Sequence, residues 1–179
     1  MKKVLVFLAD GFEEIEALTP VDILRRGGME VQTVGVYGKC VTGAHGIIVE
    51  ADILLEDVIW EQMDMLILPG GPGHFRISES AGAVRLIRLA AEKNCYLAAI
   101  CASPSILGKL GLLKGKKATC FPGFEKDLTG AVHLPEQVVT DGKTVTGKGA
   151  GAAAEFGFTL LSLLTNPETA KTLSEEMQY

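Results

Sequence analysis

Three apolar runs, each followed at once by a turn, limit the possible folds of this chain more than any other feature. The runs cover residues 4–9, 65–68 and 96–100, and each is uninterrupted by polar side chains. Apolar runs without alternation are typical of strands that are buried on both faces, as in a parallel sheet. The ends of such strands collect ligands at one edge of the sheet, so the residues that follow these three runs are of special interest.

The segments between the runs predict the rest of an alternating α/β pattern. Helices are predicted over 13–26, 80–93, from about 104, from 151 to 165 and over 168–177, a strand over 31–36, a short strand over 117–120, and hairpins over 40–49 and 138–146. A break or kink in the first helix is expected where Thr19 precedes Pro20, because proline favours the first turn of a helix. The pattern predicts a doubly wound, mostly parallel sheet with helices on both faces.

Composition narrows the class of protein. The chain has 179 residues, of which 47% are hydrophobic and 22% charged, so we expect one globular domain over residues 1–179. The net charge of −5 argues against nucleic acid as a partner. Neither a secretory signal nor a membrane-spanning run is recognisable, and a cytoplasmic location is therefore expected.

The cysteines and histidines give no pattern typical of a metal site. Four cysteines occur without a CxxC pair, and three histidines lie far apart in the sequence. Neither a structural metal nor a disulfide framework is predicted, so each cysteine is expected to be a free thiol.

Cys101 is the strongest candidate for a reactive residue. It follows the 96–100 run directly and precedes a helix expected to begin near Ser103 and Pro104. A helix N-terminus lowers a thiol pKa, and a strand-to-helix turn exposes a nucleophile above the sheet. The competing interpretation is a buried structural cysteine, which is common after an apolar strand.

Two further groups follow the other runs. Gly70 and Gly71 come directly after the 65–68 run and its Pro69, where backbone N–H groups can hold an oxyanion. Glu13, Glu14 and Glu16 follow the first run, and any of them can supply a carboxylate. Helical periodicity does not decide which of the three points inward.

The motifs that carry a family resemblance extend over most of the chain. They are VLVFLADGFEEIE at 4–16, PVD at 20–22 with RRGG at 25–28, LPGG at 68–71, SES at 78–80 and AAICA at 98–102. The chain resembles the ThiJ/PfpI superfamily, within the branch of the Parkinson's-disease-associated deglycase and bacterial YajL. The resemblance implies a flavodoxin-like sheet, similar to class I glutamine amidotransferases, and a homodimer.

The resemblance also implies roles for individual residues. Cys101 matches the reactive, oxidation-sensitive cysteine, and Glu16 its acidic partner. Gly70, Gly71 and Ala102 match positions whose amides line an oxyanion pocket. A third set, expected near both the site and the dimer interface, comprises Glu13, Arg26 and His45.

Four departures from the family pattern bear on function. Ala102 stands where the peptidase branch has histidine, which disfavours a Cys-His protease. Phe121 stands where the deglycase branch often has histidine, which removes one proton shuttle. His45 replaces an arginine, and residues 149–151 lack a proline that is common in the family.

Three functions remain open from the sequence. The first is a glyoxalase III-like or deglycase activity, without a cofactor, on methylglyoxal, glyoxal or early glycation adducts, including glycated protein. The second is an oxidative-stress sensor or chaperone in which Cys101 is oxidised with little turnover. The third is a cysteine peptidase or amidase, which ranks last.

Overall fold

A computed structural model describes residues 1–179 and confirms the predicted α/β architecture. Its seven-stranded sheet consists of β1 (Lys3–Leu8), β2 (Glu30–Gly35), β5 (Ile53–Leu54), β6 (Met65–Leu68), β7 (Tyr96–Ile100), β10 (Val138–Asp141) and β11 (Thr144–Gly147). The spatial order is β10-β11-β7-β6-β1-β2-β5. All neighbours are parallel except β10 and β11, which form the hairpin predicted around Asp141 and Gly142.

Two small sheets accompany the main one. Strands β3 (Cys40–Thr42) and β4 (Ile48–Glu50) form the hairpin predicted over residues 40–49. Strands β8 (Lys117–Ala118) and β9 (Val132–His133) pair in parallel. The predicted 117–120 strand is therefore present in shortened form.

Six helices cover the sheet. They are α1 (Glu14–Arg26), α2 (Gly73–Glu79), α3 (Ala81–Glu92), α4 (Pro104–Lys109), α5 (Ala153–Leu164) and α6 (Pro167–Glu176). Because strand side chains alternate between faces, each central strand contributes to two cores. Leu5 and Phe7 pack with α3 and α4 on one face, whereas Val4 and Val6 pack with α1 and α5 on the other. None of the helices combines the length and the apolar character that crossing a membrane requires.

The prediction of a break at Thr19 and Pro20 is wrong, because α1 runs through Pro20 without interruption, whereas a kink there stays a prediction. Pro20 is buried against α5, where a Cβ on Gly157 would lie 3.3 Å from the Pro20 Cα. This close helix–helix packing outweighs the cost of the missing N–H. Helix α2 was not predicted, since its start is rich in glycine and proline.

Candidate active site

Three loops meet at the carboxyl ends of β1, β6 and β7, as the sequence predicts. The strands are neighbours in the sheet, and they end at Leu8, Leu68 and Ile100. The segments that follow these three strands bring Glu16, Gly70 and Cys101 into contact. Residues far apart in the chain thus form one small, mostly buried cluster.

Cys101 occupies an unusual backbone conformation. Its φ is +65°, in the left-handed region that residues with a Cβ rarely adopt. Two backbone hydrogen bonds hold it there: its N–H donates to the Gly147 carbonyl at 2.9 Å, and its carbonyl accepts from the Phe121 N–H at 2.8 Å. Such a sharp strand-to-helix turn is typical of nucleophile elbows.

Glu16 is the carboxylate that points inward. It lies in the first turn of α1 with 1% of its surface exposed, and its Oε2 accepts from the Gly70 N–H at 2.9 Å. The Cys101 thiol acts on the same carboxyl group and lowers its pKa, against the effect of burial. A Cβ on Gly70 would lie 2.5 Å from Glu16 Oε2 and 2.6 Å from Cys101 Cβ, so only glycine allows this contact.

Two backbone amides favour charge on the sulfur. The N–H groups of Gly71 and Ala102 lower the pKa of the Cys101 thiol, against the effect of burial. Gly71 has a φ of +77°, and a Cβ there would lie 2.5 Å from the Gly11 carbonyl oxygen. The Gly70 N–H is engaged by Glu16, and an oxyanion pocket lined by the amides of Gly70, Gly71 and Ala102 stays a prediction.

Burial dominates the electrostatics of this pair. It raises the pKa of Glu16 to about 7, although hydrogen bonds from Cys101 and Gly70 act in the opposite direction. Burial, together with the negative charge of Glu16 and its hydrogen bond, raises the pKa of Cys101 to about 12. The expectation of a lowered thiol pKa is therefore wrong for the state in which Glu16 is ionised. Helix α4 begins only at Pro104 and is six residues long, so its N-terminus does not outweigh the burial.

The two groups consequently behave as one titrating unit. Burial disfavours negative charge on both groups, and the charge on Glu16 opposes ionisation of Cys101, so the form with one proton and one negative charge is favoured over the doubly charged form. When that proton is on Glu16, the carboxyl O–H can donate to a Cys101 thiolate, and the repulsion from a carboxylate is absent. The singly charged pair can therefore exist as two tautomers, one of which carries the thiolate.

The remaining predicted residues lie at different distances from the pair. His45 is exposed at the hairpin turn between β3 and β4, where its Nδ1 lies 2.9 Å from Glu14 Oε2 and 3.6 Å from Glu13 Oε2. Arg26 ends α1, a helix of 13 residues and about 20 Å in length. It pairs with Asp22 and makes no contact with Cys101 or Glu16 in this chain.

Glu14 has a structural role that the sequence did not reveal. Its buried Oε1 accepts from the N–H groups of His45 at 2.8 Å and Ile47 at 3.4 Å, which fixes the hairpin turn to α1. The ligand atoms of Glu13, Glu14 and His45 lie within 4.8 Å of one another. Since Glu14 is already engaged by the hairpin, this group is a clamp rather than an open cation site.

Comparison with protein families gives a match over residues 2–163 to the DJ-1/PfpI family. The chain belongs to the DJ-1/PfpI family. This confirms the resemblance found in the sequence, since ThiJ/PfpI and DJ-1/PfpI describe the same group. The fold agrees, because the structure of oxidised Toxoplasma gondii DJ-1 has a TM-score of 0.96 and 36% identity, and the match covers 100% of this chain and 99% of that one.

Relatives in the family carry several names. DJ-1 homolog B of Arabidopsis thaliana is 38% identical over 97% of this chain, which spans only 40% of that protein. A Caenorhabditis elegans protein named glutathione-independent glyoxalase is 31% identical over 96% of this chain and 94% of its own length. A Pyrococcus horikoshii protein named deglycase is 34% identical over 82% of this chain and 89% of its own length. These names support an enzyme of the DJ-1 type.

Proposed function

We propose that this protein is a cysteine-dependent, cofactor-independent glyoxalase III-like or deglycase enzyme for methylglyoxal, glyoxal or early glycation adducts. The observation that carries the proposal is the cluster of Cys101, Glu16 and two amides that face the sulfur. Relatives named glyoxalase and deglycase support the same reaction class.

The cluster provides the groups that the reaction on methylglyoxal needs. The Cys101 thiolate adds to the aldehyde carbon, and the carbonyl electron pair moves onto oxygen to give a hemithioacetal. The amides of Gly71 and Ala102 stabilise the alkoxide until it takes the proton from Glu16. The carboxylate so formed is then the base for the next step.

The later steps need only that carboxylate and water. Glu16 removes the proton from the former aldehyde carbon to give an enediolate, and the hydroxyl proton on that carbon passes to the neighbouring oxygen. Glu16 then returns its proton to the neighbouring carbon, which gives a lactoyl thioester on Cys101. Water hydrolyses the thioester, releases lactate and restores the thiol. One methylglyoxal and one water give one lactate, so no external oxidant or reductant is consumed.

Substitution of Cys101 tests the proposal. Cys101→Ala should abolish lactate formation from methylglyoxal, whereas Cys40→Ala, at an exposed thiol outside the site, should retain it. Circular dichroism of both variants checks folding. A Cys101→Ala protein that turns over as fast as wild type would rule the proposal out.

An oxidation sensor is the second candidate, because one structural relative is the oxidised form of Toxoplasma gondii DJ-1. The amides of Gly71 and Ala102, with protonated Glu16, can hydrogen-bond to sulfinate oxygens. Mild peroxide should then convert Cys101 alone to sulfinate and shift the unfolding midpoint. Uniform oxidation of all four cysteines without such a shift would exclude the sensor.

A peptidase or amidase remains the weakest candidate. Ala102, rather than a histidine, follows Cys101, and the ionisable group beside the thiol is the carboxyl group of Glu16. The reducing cytoplasm is the compartment we propose, because all four cysteines are free and the chemistry requires the thiol form.

We infer further that the chain forms a homodimer through the face around the start of α1. Three isoleucines on this face and its hairpin are largely exposed: Ile15 at 53%, Ile47 at 53% and Ile48 at 69%. Exposed apolar clusters of this kind mark protein interfaces. Light scattering should give a dimer for wild type and a monomer for Ile48→Glu; a wild-type monomer at micromolar concentration would exclude the dimer.

A further inference from the structure

Three peptide groups direct their N–H bonds at the reactive pair. The Gly70 N–H donates to Glu16 Oε2 at 2.9 Å, and the amides of Gly71 and Ala102 lower the pKa of the Cys101 thiol. These donors divide into one that favours charge on the carboxylate and two that favour charge on the sulfur. Their relative strengths therefore influence where the single negative charge of the pair resides.

Each of these peptides also has a donor on its carbonyl side. The Gly70 carbonyl accepts from the Glu13 N–H at 3.0 Å, and the Cys101 carbonyl accepts from the Phe121 N–H at 2.8 Å. The Pro69 carbonyl, in the same peptide as the Gly70 N–H, accepts from Ser103 Oγ. Only this third donor is a side chain, so it alone can be removed by substitution.

Ser103 has no other visible role for its hydroxyl group. It is 0% exposed and directly precedes α4, where serine commonly caps a helix through its side chain. No such capping bond is present. The hydroxyl points instead to the strand end that carries Gly70, in an unusually short hydrogen bond.

The geometry points to Ser103 as a positioning residue that orients and polarises the Pro69–Gly70 peptide and so draws the negative charge toward Glu16 and away from the Cys101 sulfur. A hydrogen bond to a peptide carbonyl strengthens the N–H of the same peptide as a donor. The wild-type chain would thereby hold Cys101 mainly as a thiol at rest. The inference rests on the proposed function only in treating Cys101 as the reacting group.

A distinctive pH profile follows from this arrangement. Cooperative strengthening of about 10 to 30% in a charge-assisted bond corresponds to a few tenths of a pKa unit, or roughly a twofold change. Loss of the Ser103 hydroxyl should therefore lower the ionisation constant of Glu16 by that factor. The neighbouring charge of Glu13 and the thiol itself, the other groups that act on Glu16, are unchanged by the substitution.

We would measure the rate of Cys101 alkylation by iodoacetamide from pH 5 to 9, with peptide mass spectrometry to isolate Cys101 from the other cysteines. Ser103→Ala should raise the plateau above the first inflection roughly twofold and move that inflection up by about 0.3 pH unit. The rate well below the inflection should not change, because there it depends only on thiol ionisation beside protonated Glu16. A purely structural loss would alter the rate at every pH.

Ser105 offers a matched control. It is 1% exposed, and its Oγ donates to the Ala102 carbonyl at 2.6 Å. The N–H of that peptide, on Ser103, donates to Ile100 rather than to the reactive pair. Ser105→Ala therefore removes an equivalent buried hydroxyl but should show the same pH profile of Cys101 alkylation as wild type. Ser103→Thr keeps the hydroxyl at position 103 and should also show the wild-type profile.

The outcomes are separable from those of the enzyme proposal, because alkylation needs no aldehyde turnover. A Ser103→Ala profile identical to wild type, in folded protein with selectively labelled Cys101, overturns the role of Ser103. A change equal in Ser103→Ala and Ser105→Ala overturns it as well. The enzyme proposal would fail on a different result, which is lactate formation that persists in Cys101→Ala.

Discussion

Gly70→Ala is the sharpest steric test of the site. The added Cβ would lie 2.5 Å from Glu16 Oε2, 2.6 Å from Cys101 Cβ and 3.0 Å from Cys101 Sγ. Neither neighbour is a flexible side-chain end, since one is a buried carboxylate and the other is the first atom of a short side chain. Gly70 does not have a positive φ, so the backbone itself accepts alanine and the effect is purely steric.

The expected magnitude follows from overpacking and misalignment. Forcing a methyl group into a packed site typically costs about 1–3 kcal/mol of unfolding free energy. A displacement of about 1 Å between reacting groups lowers a rate roughly 100-fold. We therefore expect Gly70→Ala to fold with reduced stability and to lose about two orders of magnitude in Cys101 alkylation and in aldehyde turnover.

Urea unfolding and iodoacetamide kinetics measure the two effects separately. Gly38→Ala is the matched control, because a Cβ at Gly38 meets nothing within 4 Å and its φ is not positive. That variant should match wild type in both assays. If Gly70→Ala alkylates Cys101 within twofold of wild type, the tight contact between Glu16, Gly70 and Cys101 does not govern reactivity.

Three further predictions concern the pair, acid stability and the core. Glu16→Gln should remove the inflection near pH 7 from the Cys101 alkylation profile, since the amide does not titrate, and an unchanged inflection would assign it to another group. Burial acts against ionisation of Asp52, but hydrogen bonds and a nearby arginine lower its pKa below the ordinary 3.8. The ionised Asp52 therefore stabilises the fold above pH 3.8, and this stabilisation is lost as the pH falls through the lowered pKa. Asp52→Asn should therefore lower the urea midpoint at pH 7 more than at pH 3; equal losses would contradict this. Phe156 is 0% exposed, so Phe156→Ala should cost about 3–5 kcal/mol of unfolding free energy. Phe121 is 47% exposed, and Phe121→Ala should cost well under half as much. Similar losses in the two variants would mean that burial does not set the difference.

The sheet could be predicted well because its signals are local. Strand β7 covers the predicted residues 96–100, and the Asp141-Gly142 turn produced the expected hairpin. Helix α2 escaped prediction because Gly73 and the preceding turn disfavour a helix locally, whereas the burial of Ile77 in the core depends on tertiary packing. The extension of one domain over residues 1–179 stays a prediction.

The site was less predictable than the sheet. Position after a strand identified Cys101 and Gly70, but the choice among three glutamates depends on how α1 is rotated against the sheet. The thiol pKa was predicted in the wrong direction, because the sequence shows the nearby helix but not the depth of burial. The Ser103–Pro69 contact joins two loops 34 positions apart, which no periodicity reveals.

The order of the chain has a consequence for when the thiol becomes reactive. Gly147 and Phe121, whose backbone groups hold Cys101 in its left-handed conformation, both follow it in the sequence. During synthesis the cysteine leaves the ribosome before either support, and strand β11 must insert beside β7 before the turn is complete. Cys101 is therefore an ordinary thiol in a nascent chain or a partly folded intermediate, and its special chemistry is a property of the finished fold alone.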